Sequence, residues 1–348
     1  MTFFNEEYPF YCGVDLHART MYVCVIDGQG NKLVHRNLRT NPAAFLEAIA
    51  FHRDGIVVGV ECVFCWYWLA DLCQREGIDF VLGHALYMKA IHGGKTKNDR
   101  LDAFKLASLL WGGNFPVAYA YPAEHRATRD LLRRRHYLVR LRAELLAHVQ
   151  NTATQYNLPP LAKNIAYAGN RVGAAALFPD PLVRRDVEVD LELLSAYDRQ
   201  IKQLDRFLET TTKASDPDTF RLLRTVPGVG RTLGMTILYE VGTIERFARV
   251  QDFLSYCRLV KPTKTSAGER TGEASGKKIG NAHLKWAFGE ATLVLLREEE
   301  GVKRYKHRLE GKHGKGKALS ILSAKLGRAA YYMLKRHEPF NIETFLSC

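Results

Sequence analysis

The sequence predicts three parts: an α/β N-terminal domain over residues 1–122, a long helical, coiled-coil middle over 123–215, and a mainly α C-terminal domain over 216–348. Three observations carry that reading. Short β-branched runs alternate with amphipathic segments through the first part. Two long stretches, 121–150 and 186–212, then repeat apolar residues at helical spacing. From residue 220 onward, helical segments are interrupted by Pro-Gly and glycine-rich turns.

In chain order, the first part reads as strands 10–16 and 20–27, a Gly28-Gln29-Gly30-Asn31 turn, strand 32–38, helix 42–53, strand 56–61, helix 65–76, strand 78–82 and a helix from about 99. Three meandering strands followed by alternating helices and strands is the order of a ribonuclease H-like domain. In that order the first strand, the fourth strand and the late helix converge.

Four carboxylates sit at those places. Asp15 lies inside the apolar run Tyr11-Cys12-Gly13-Val14-Asp15-Leu16, where an uncompensated charge is costly. Glu61 closes the β-branched run Ile56-Val57-Val58-Gly59-Val60. Asp99 and Asp102 open an amphipathic helix, and their spacing of three puts both on one face, where they repel each other. Each alone reads more simply as a turn, cap or solvated helix-start residue. Together they read as a site for hard divalent cations, magnesium with manganese as its substitute.

The net charge of +13 over 348 residues implies a polyanionic partner. Seven cysteines, an odd number at positions 12, 24, 62, 65, 73, 257 and 348, lack a secreted-type spacing and predict free thiols in a reducing cytoplasm. Cys62-Val63-Phe64-Cys65 has no second pair to complete a zinc site and sits among aromatic residues, so helix packing accounts for it. No apolar run approaches the roughly 20 residues of a membrane span.

Arg126, Arg129, Arg133, Arg134, Arg135, Arg140 and Arg142 crowd residues 121–150 against only Glu124, Asp130 and Glu144. A solvated bundle helix is the plain reading. The predominance of arginine over lysine favours contact with a phosphate backbone, which suits the planar guanidinium fork. Residues 151–185 read as a loose connection to the second long helix, 186–212, and such an arm predicts self-association as a dimer or tetramer.

In the last part, Val226-Pro227-Gly228-Val229-Gly230 before a helix reads as a helix-hairpin-helix turn offering backbone N–H groups of Gly228 and Gly230 to a phosphate, or as a plain turn between packed helices. The segment 259–284 is a basic, small-residue loop carrying Ser266, Ser275, Lys277 and Lys278. Its composition does not single out a nucleophile.

The chain resembles DEDD-type transposases of an insertion-sequence family that pairs a RuvC-like nuclease domain with a serine-bearing domain; Piv-like DNA invertases are relatives. Gly13-Val14-Asp15, Val60-Glu61, Lys97-Asn98-Asp99-Arg100-Leu101-Asp102-Ala103, Val226-Pro227-Gly228-Val229-Gly230, Thr265-Ser266-Ala267-Gly268 and Lys278-Ile279-Gly280-Asn281 carry the likeness in family order. The resemblance implies a metal-binding tetrad of Asp15, Glu61, Asp99 and Asp102, and a nucleophile at Ser266. Ala267 here separates that serine from the glycine that usually follows it, and Ser275 is the substitute.

What the resemblance implies is a DNA recombinase of a mobile element, forming a phosphoserine intermediate on donor and target DNA under a structured guide, or bridge, RNA, and associating with the nucleoid when active. Alternatives of other kinds are a hydrolytic Holliday-junction resolvase, an invertase without RNA, an actin-like ATPase or sugar kinase, and a non-catalytic RNA-binding module. The ATPase reading lacks a second phosphate-binding glycine turn.

Overall fold

The computed structural model describes residues 2–91, 98–159, 161, 164–261, 263–266, 269–273 and 279–347. They form two compact units, Met1–Ala123 and Glu124–Cys348.

The first unit is built on strands β1 (Phe3–Phe4), β2 (Phe10–Leu16), β3 (Thr20–Asp27), β4 (Lys32–Arg39), β5 (Ile56–Glu61), β6 (Asp79–Gly83) and β7 (Phe115–Pro116), with helices α1 (Pro42–Ile49), α2 (Tyr67–Glu76), α3 (Ala85–Ile91) and α4 (Asp99–Trp111). Five strands form one mixed sheet in the order β4-β3-β2-β5-β6. The meander β2-β3-β4 is antiparallel, while β2, β5 and β6 are parallel. This agrees with the ribonuclease H-like order of elements. The helix expected over 42–53 ends at Ile49 and tightens into a single 3₁₀ turn over Ala50–His52.

Both faces of β2 are covered, which explains its continuous apolar run. Cys12, Val14 and Leu16 pack with Phe45 and Ile49 of α1 and Leu69 and Leu72 of α2. Tyr11 on the opposite face joins Ala103, Leu106, Ala107 and Leu110 of α4. The alternation assigns each residue to a face. Asp15 therefore shares the α4 side with Tyr11 and Gly13.

The second unit holds α5 (Ala123–Gln155), α6 (Pro181–Ser215), α7 (Pro217–Leu223), α8 (Arg231–Val241), α9 (Val250–Tyr256), the hairpin β8 (Thr263–Ser266) and β9 (Glu269–Glu273), then α10 (Ala282–Glu298), α11 (Glu300–His313), α12 (Lys315–Arg336) and α13 (Ile342–Ser347). The second long helix begins five residues earlier than its apolar pattern, because Asp180 accepts from the N–H groups of Leu182 and Val183, and Pro181 fits the first turn. The connection between α5 and α6 has a small core of its own, in which Ile165, Ala174 and Phe178 pack with Val149, Ala153 and Val187. Leu132 of α5 and Leu208 of α6 enter the same core as α7 to α12. None of the described helices is long and apolar enough to cross a membrane.

Candidate functional site

Register and glycine placement build the acidic site. In the parallel pair β2–β5, Gly13 stands opposite Gly59 and Val14 opposite Val60, so Asp15 and Glu61 follow at the ends of neighbouring strands, about 4.8 Å apart as strands go. A Cβ at Gly13 would collide with the Ala103 carbonyl and the Ala107 amide of α4, and a Cβ at Gly59 would come 2.7 Å from Leu110 Cδ1. The two glycines thus make a floor on which α4 lies close. Its first turn then overhangs Asp15.

Contacts from the meander hold α4 along its length. His35 Nε2 lies 2.9 Å from the carbonyl of Arg100, Lys32 Nζ is 3.8 Å from the centre of the Phe104 ring, and Trp111 Nε1 donates to the Gly28 carbonyl at 3.0 Å. Asn98 caps the helix by accepting from the Arg100 amide. The positive end of the helix favours the two carboxylates of that turn.

Asp15, Asp99 and His17 converge. His17 Nε2 is 3.4 Å from Asp15 Oδ2 and 3.7 Å from Asp99 Oδ2, and one ligand atom from each of the three falls within 4.8 Å of the others. Burial pushes the Asp15 carboxyl above its ordinary pKa, and the charges of Asp99 and Asp102 add to that while His17 opposes it. Asp102 also accepts from Lys105 Nζ at 3.0 Å. Glu61 is half-buried at the end of β5, opposite Gly83 of β6.

The first unit therefore gathers Asp15, His17 and Asp99 around one point, with Asp102 near enough for its charge to act on Asp15 and Glu61 on the adjoining strand. His17 was missed by sequence reasoning, although it lies two residues beyond Asp15 and so shares its face. Its backbone is pinned: the His17 amide donates to Thr20 and its carbonyl accepts from Thr40 Oγ1. Carboxylate oxygens that repel one another, one of them desolvated, with an imidazole nitrogen beside them, form a donor set suited to a divalent cation.

The other candidate residues lie in the second unit. Glu240 of α8 is buried, and accepts from Arg129 Nε at 2.9 Å, Arg133 Nε at 2.6 Å and Asn281 Nδ2 at 2.7 Å. Arg135 pairs with Asp205 at 2.9 Å and Arg142 with Asp198 at 2.6 Å. Arg126 is buried, while Arg134 and Arg140 are exposed and Arg140 lies 3.7 Å from Glu144. The planar fork that suits a phosphate is used on carboxylates at most of these positions.

Gly228 adopts a φ of +88° and packs against α10, where an added Cβ would lie 2.8 Å from the Ala291 carbonyl. Gly230 precedes α8 with open space around it. Ser266 ends β8, and its backbone pairs with Glu269 of β9. Ser275, Lys277 and Lys278 lie outside the described residues.

A transposase family model of the DEDD, IS110 type matches residues 12–158, and a second, described as the transposase IS116/IS110/IS902 family, matches residues 220–307. The chain belongs to the IS110-type DEDD transposases. The first model spans the whole acidic site, and the second spans α8, α9, the β8–β9 hairpin and α10. A similar protein of Sinorhizobium fredii, named "Putative transposase y4qE", is 27% identical over 244 residues, which is 70% of this chain and 60% of that relative. The match thus covers less than two thirds of the relative's length.

Proposed function

We propose that this family member is a transposase that cuts and rejoins the DNA of a mobile element, using a divalent-cation site made by Asp15, Glu61, Asp99 and Asp102 with His17 beside them. The observation that carries the reading is the closure of α4 onto the Gly13–Gly59 floor, which sets Asp99 and Asp102 against the desolvated Asp15. Asp15, Glu61, Asp99 and Asp102 would hold magnesium or manganese, which would supply Lewis-acid polarisation of the scissile phosphate and charge stabilisation at the leaving oxygen.

Ser266 is the proposed nucleophile. Its Oγ attacks the scissile phosphorus, the Oγ–P bond forms, the P–O3′ bond breaks, and the serine proton ends on the departing 3′ oxygen. The phosphoserine ester conserves the bond energy, so a 3′ hydroxyl from another strand can later attack it, restore a phosphodiester and free the serine. The tetrad lies in the first unit and the serine in the second, and a dimer or tetramer is the proposed assembly.

Donor and target DNA are the proposed substrates, and a structured guide RNA is the proposed partner that selects them. The net charge of +13 supports polyanionic partners without choosing between them. Sequencing RNA that copurifies with the chain tests the second.

Denaturing electrophoresis of end-labelled DNA tests the chemistry. Wild type should give a covalent protein–DNA adduct that Asp15→Asn and Ser266→Ala both lose and Ser275→Ala keeps. Cleavage without any adduct would replace the serine with water and make the chain a hydrolytic resolvase. An adduct kept in Ser266→Ala and lost in Ser275→Ala would move the nucleophile to Ser275.

A further inference from the structure

Among the described residues, a dense run of cations lies on neither the arginine helix nor the acidic site. Residues 301–317, covering most of α11 and the turn into α12, hold seven lysines and arginines against one acidic residue, Glu310. Two of the seven are spent locally, Lys303 on Glu300 and Lys306 on Glu310, each at 2.8 Å. Arg304, Arg308, Lys312, Lys315 and Lys317 are all exposed and form no ion pair among the described residues, although Glu300 feels the charge of Arg304 and Arg308 lies 5.5 Å from the centre of the Tyr305 ring. Arg304, Arg308 and Lys312 recur every four residues along one stripe of α11, where like charges repel.

Glycines at the same tip make the second observation. Gly311 and Gly316 lie within helices, take no positive φ, and would have nothing within 4 Å of an added Cβ. Neither backbone conformation nor packing within the fold asks for glycine there, and glycine in a helix costs stability relative to alanine. Only Gly314 between them is required by its φ of +78°. Glycines that the fold does not need, set among unpaired cations, fit a surface that another backbone approaches closely.

We infer that the α11–α12 tip is a docking surface for the sugar-phosphate backbone of duplex DNA, read without regard to sequence. The inference rests on the reading above that the chain acts on DNA. It adds a contact beyond the family match, which ends at residue 307 and excludes the glycine-lysine tip. Lysines on flexible stems beside an open glycine turn suit a phosphate ridge, whereas base discrimination calls for bidentate side chains in a groove.

The full chain is titrated with a 30-base-pair DNA of arbitrary sequence, and in parallel with duplex RNA, across a range of salt. Replacing Lys312, Lys315 and Lys317 by glutamine should weaken DNA binding and flatten the plot of log affinity against log salt by up to about 0.9 per lysine. Gly311→Ala with Gly316→Ala should raise the melting temperature while weakening DNA binding several-fold, a pairing of signs that a merely structural tip does not give. Unchanged DNA slopes in the lysine variant, or alanines that raise stability with binding intact, would overturn the inference. So would a loss confined to duplex RNA. A wild-type chain that binds no nucleic acid overturns the DNA reading as well, whereas normal DNA binding by the lysine variant, beside a wild-type adduct that Asp15→Asn loses, overturns this inference and leaves the DNA reading standing.

Discussion

Gly13 of β2 and Gly59 of β5 stand opposite each other in the parallel register, and together they let α4 approach the sheet closely enough to bring Asp99 over Asp15. The two positions are unequal. An alanine at Gly13 would strike the backbone of α4, the Ala103 carbonyl and the Ala107 amide, which cannot move without lifting the helix. An alanine at Gly59 would meet the ends of Leu110 and Phe115, which can rotate. Gly13→Ala should therefore cost roughly 3 kcal/mol or more and abolish manganese binding, while Gly59→Ala should cost about 1 kcal/mol and weaken it. Melting curves and manganese titrations check both. Equal effects at the two positions would refute the floor.

The acidic site should behave as a centre of repulsion that a cation relieves. Asp15→Asn removes the carboxylate whose ionisation burial and the neighbouring Asp99 and Asp102 oppose, so its melting temperature without metal should hold or rise. The same variant should lose the melting shift that wild type gains from manganese. His17→Ala should keep a smaller shift, with manganese affinity reduced about tenfold and magnesium affinity reduced less, because an imidazole nitrogen favours the softer ion. Equal loss for both ions would limit His17 to holding Asp15 in place.

How much of this was legible in the sequence differs by element. The five strands of the main sheet were, because β-branched runs such as Ile56–Glu61 fit a sheet covered on both faces, whereas the two-residue strands β1 and β7 carry no such pattern. Asp15 and Glu61 were legible as charges in apolar runs, and Asp99 and Asp102 as a like-charged pair on one helix face. His17 was not, since a single histidine after a strand carries no signal until the turn that pins it is known. The partners of Arg129 and Arg133 were equally hidden: Glu240 is more than a hundred residues away, and an amphipathic pattern shows that a face is charged without showing what it meets. The end of the helix at Ile49 was missed because the pattern of apolar residues continues through Ala50 and Phe51, while the backbone tightens there into the turn.

Glu240 should be a keystone of the second unit. Burial raises its pKa, yet the hydrogen bond from Arg133 and the charges of Arg129 and Arg133 outweigh that and hold it at about 2. Asn281 joins it to the start of α10, where the Asn281 side chain also caps the His283 and Leu284 amides. Glu240→Gln leaves two guanidinium groups facing a neutral amide and should cost on the order of 3–5 kcal/mol. Glu240→Gln combined with Arg133→Met should recover part of that loss. A denaturant titration showing the single variant within 1 kcal/mol of wild type, taking about 1 kcal/mol as an ordinary substitution effect, would remove the keystone.

The last expectation concerns acid. His136 of α5 packs between His283, with ring centres 5.8 Å apart, and Trp286, at 4.9 Å, and its buried Nδ1 has no hydrogen-bond partner among the described residues. Burial is the main cause that lowers its pKa to about 4, with Arg135 and His283 adding to it and Glu240 and Asp205 opposing. An unfolded histidine takes its proton near pH 6.5, so between there and about pH 4 the unfolded chain binds a proton that the folded chain refuses. The contribution of neutral His136 is thus complete above pH 6.5 and is lost as the pH falls toward 4, by at most about 3 kcal/mol. His136→Phe keeps a ring against Trp286 and removes the proton site. Chemical denaturation at pH 7.5, 6.0 and 4.5 should show wild type losing stability faster than this variant over that window, and parallel curves would mean that the ring is protonated without cost.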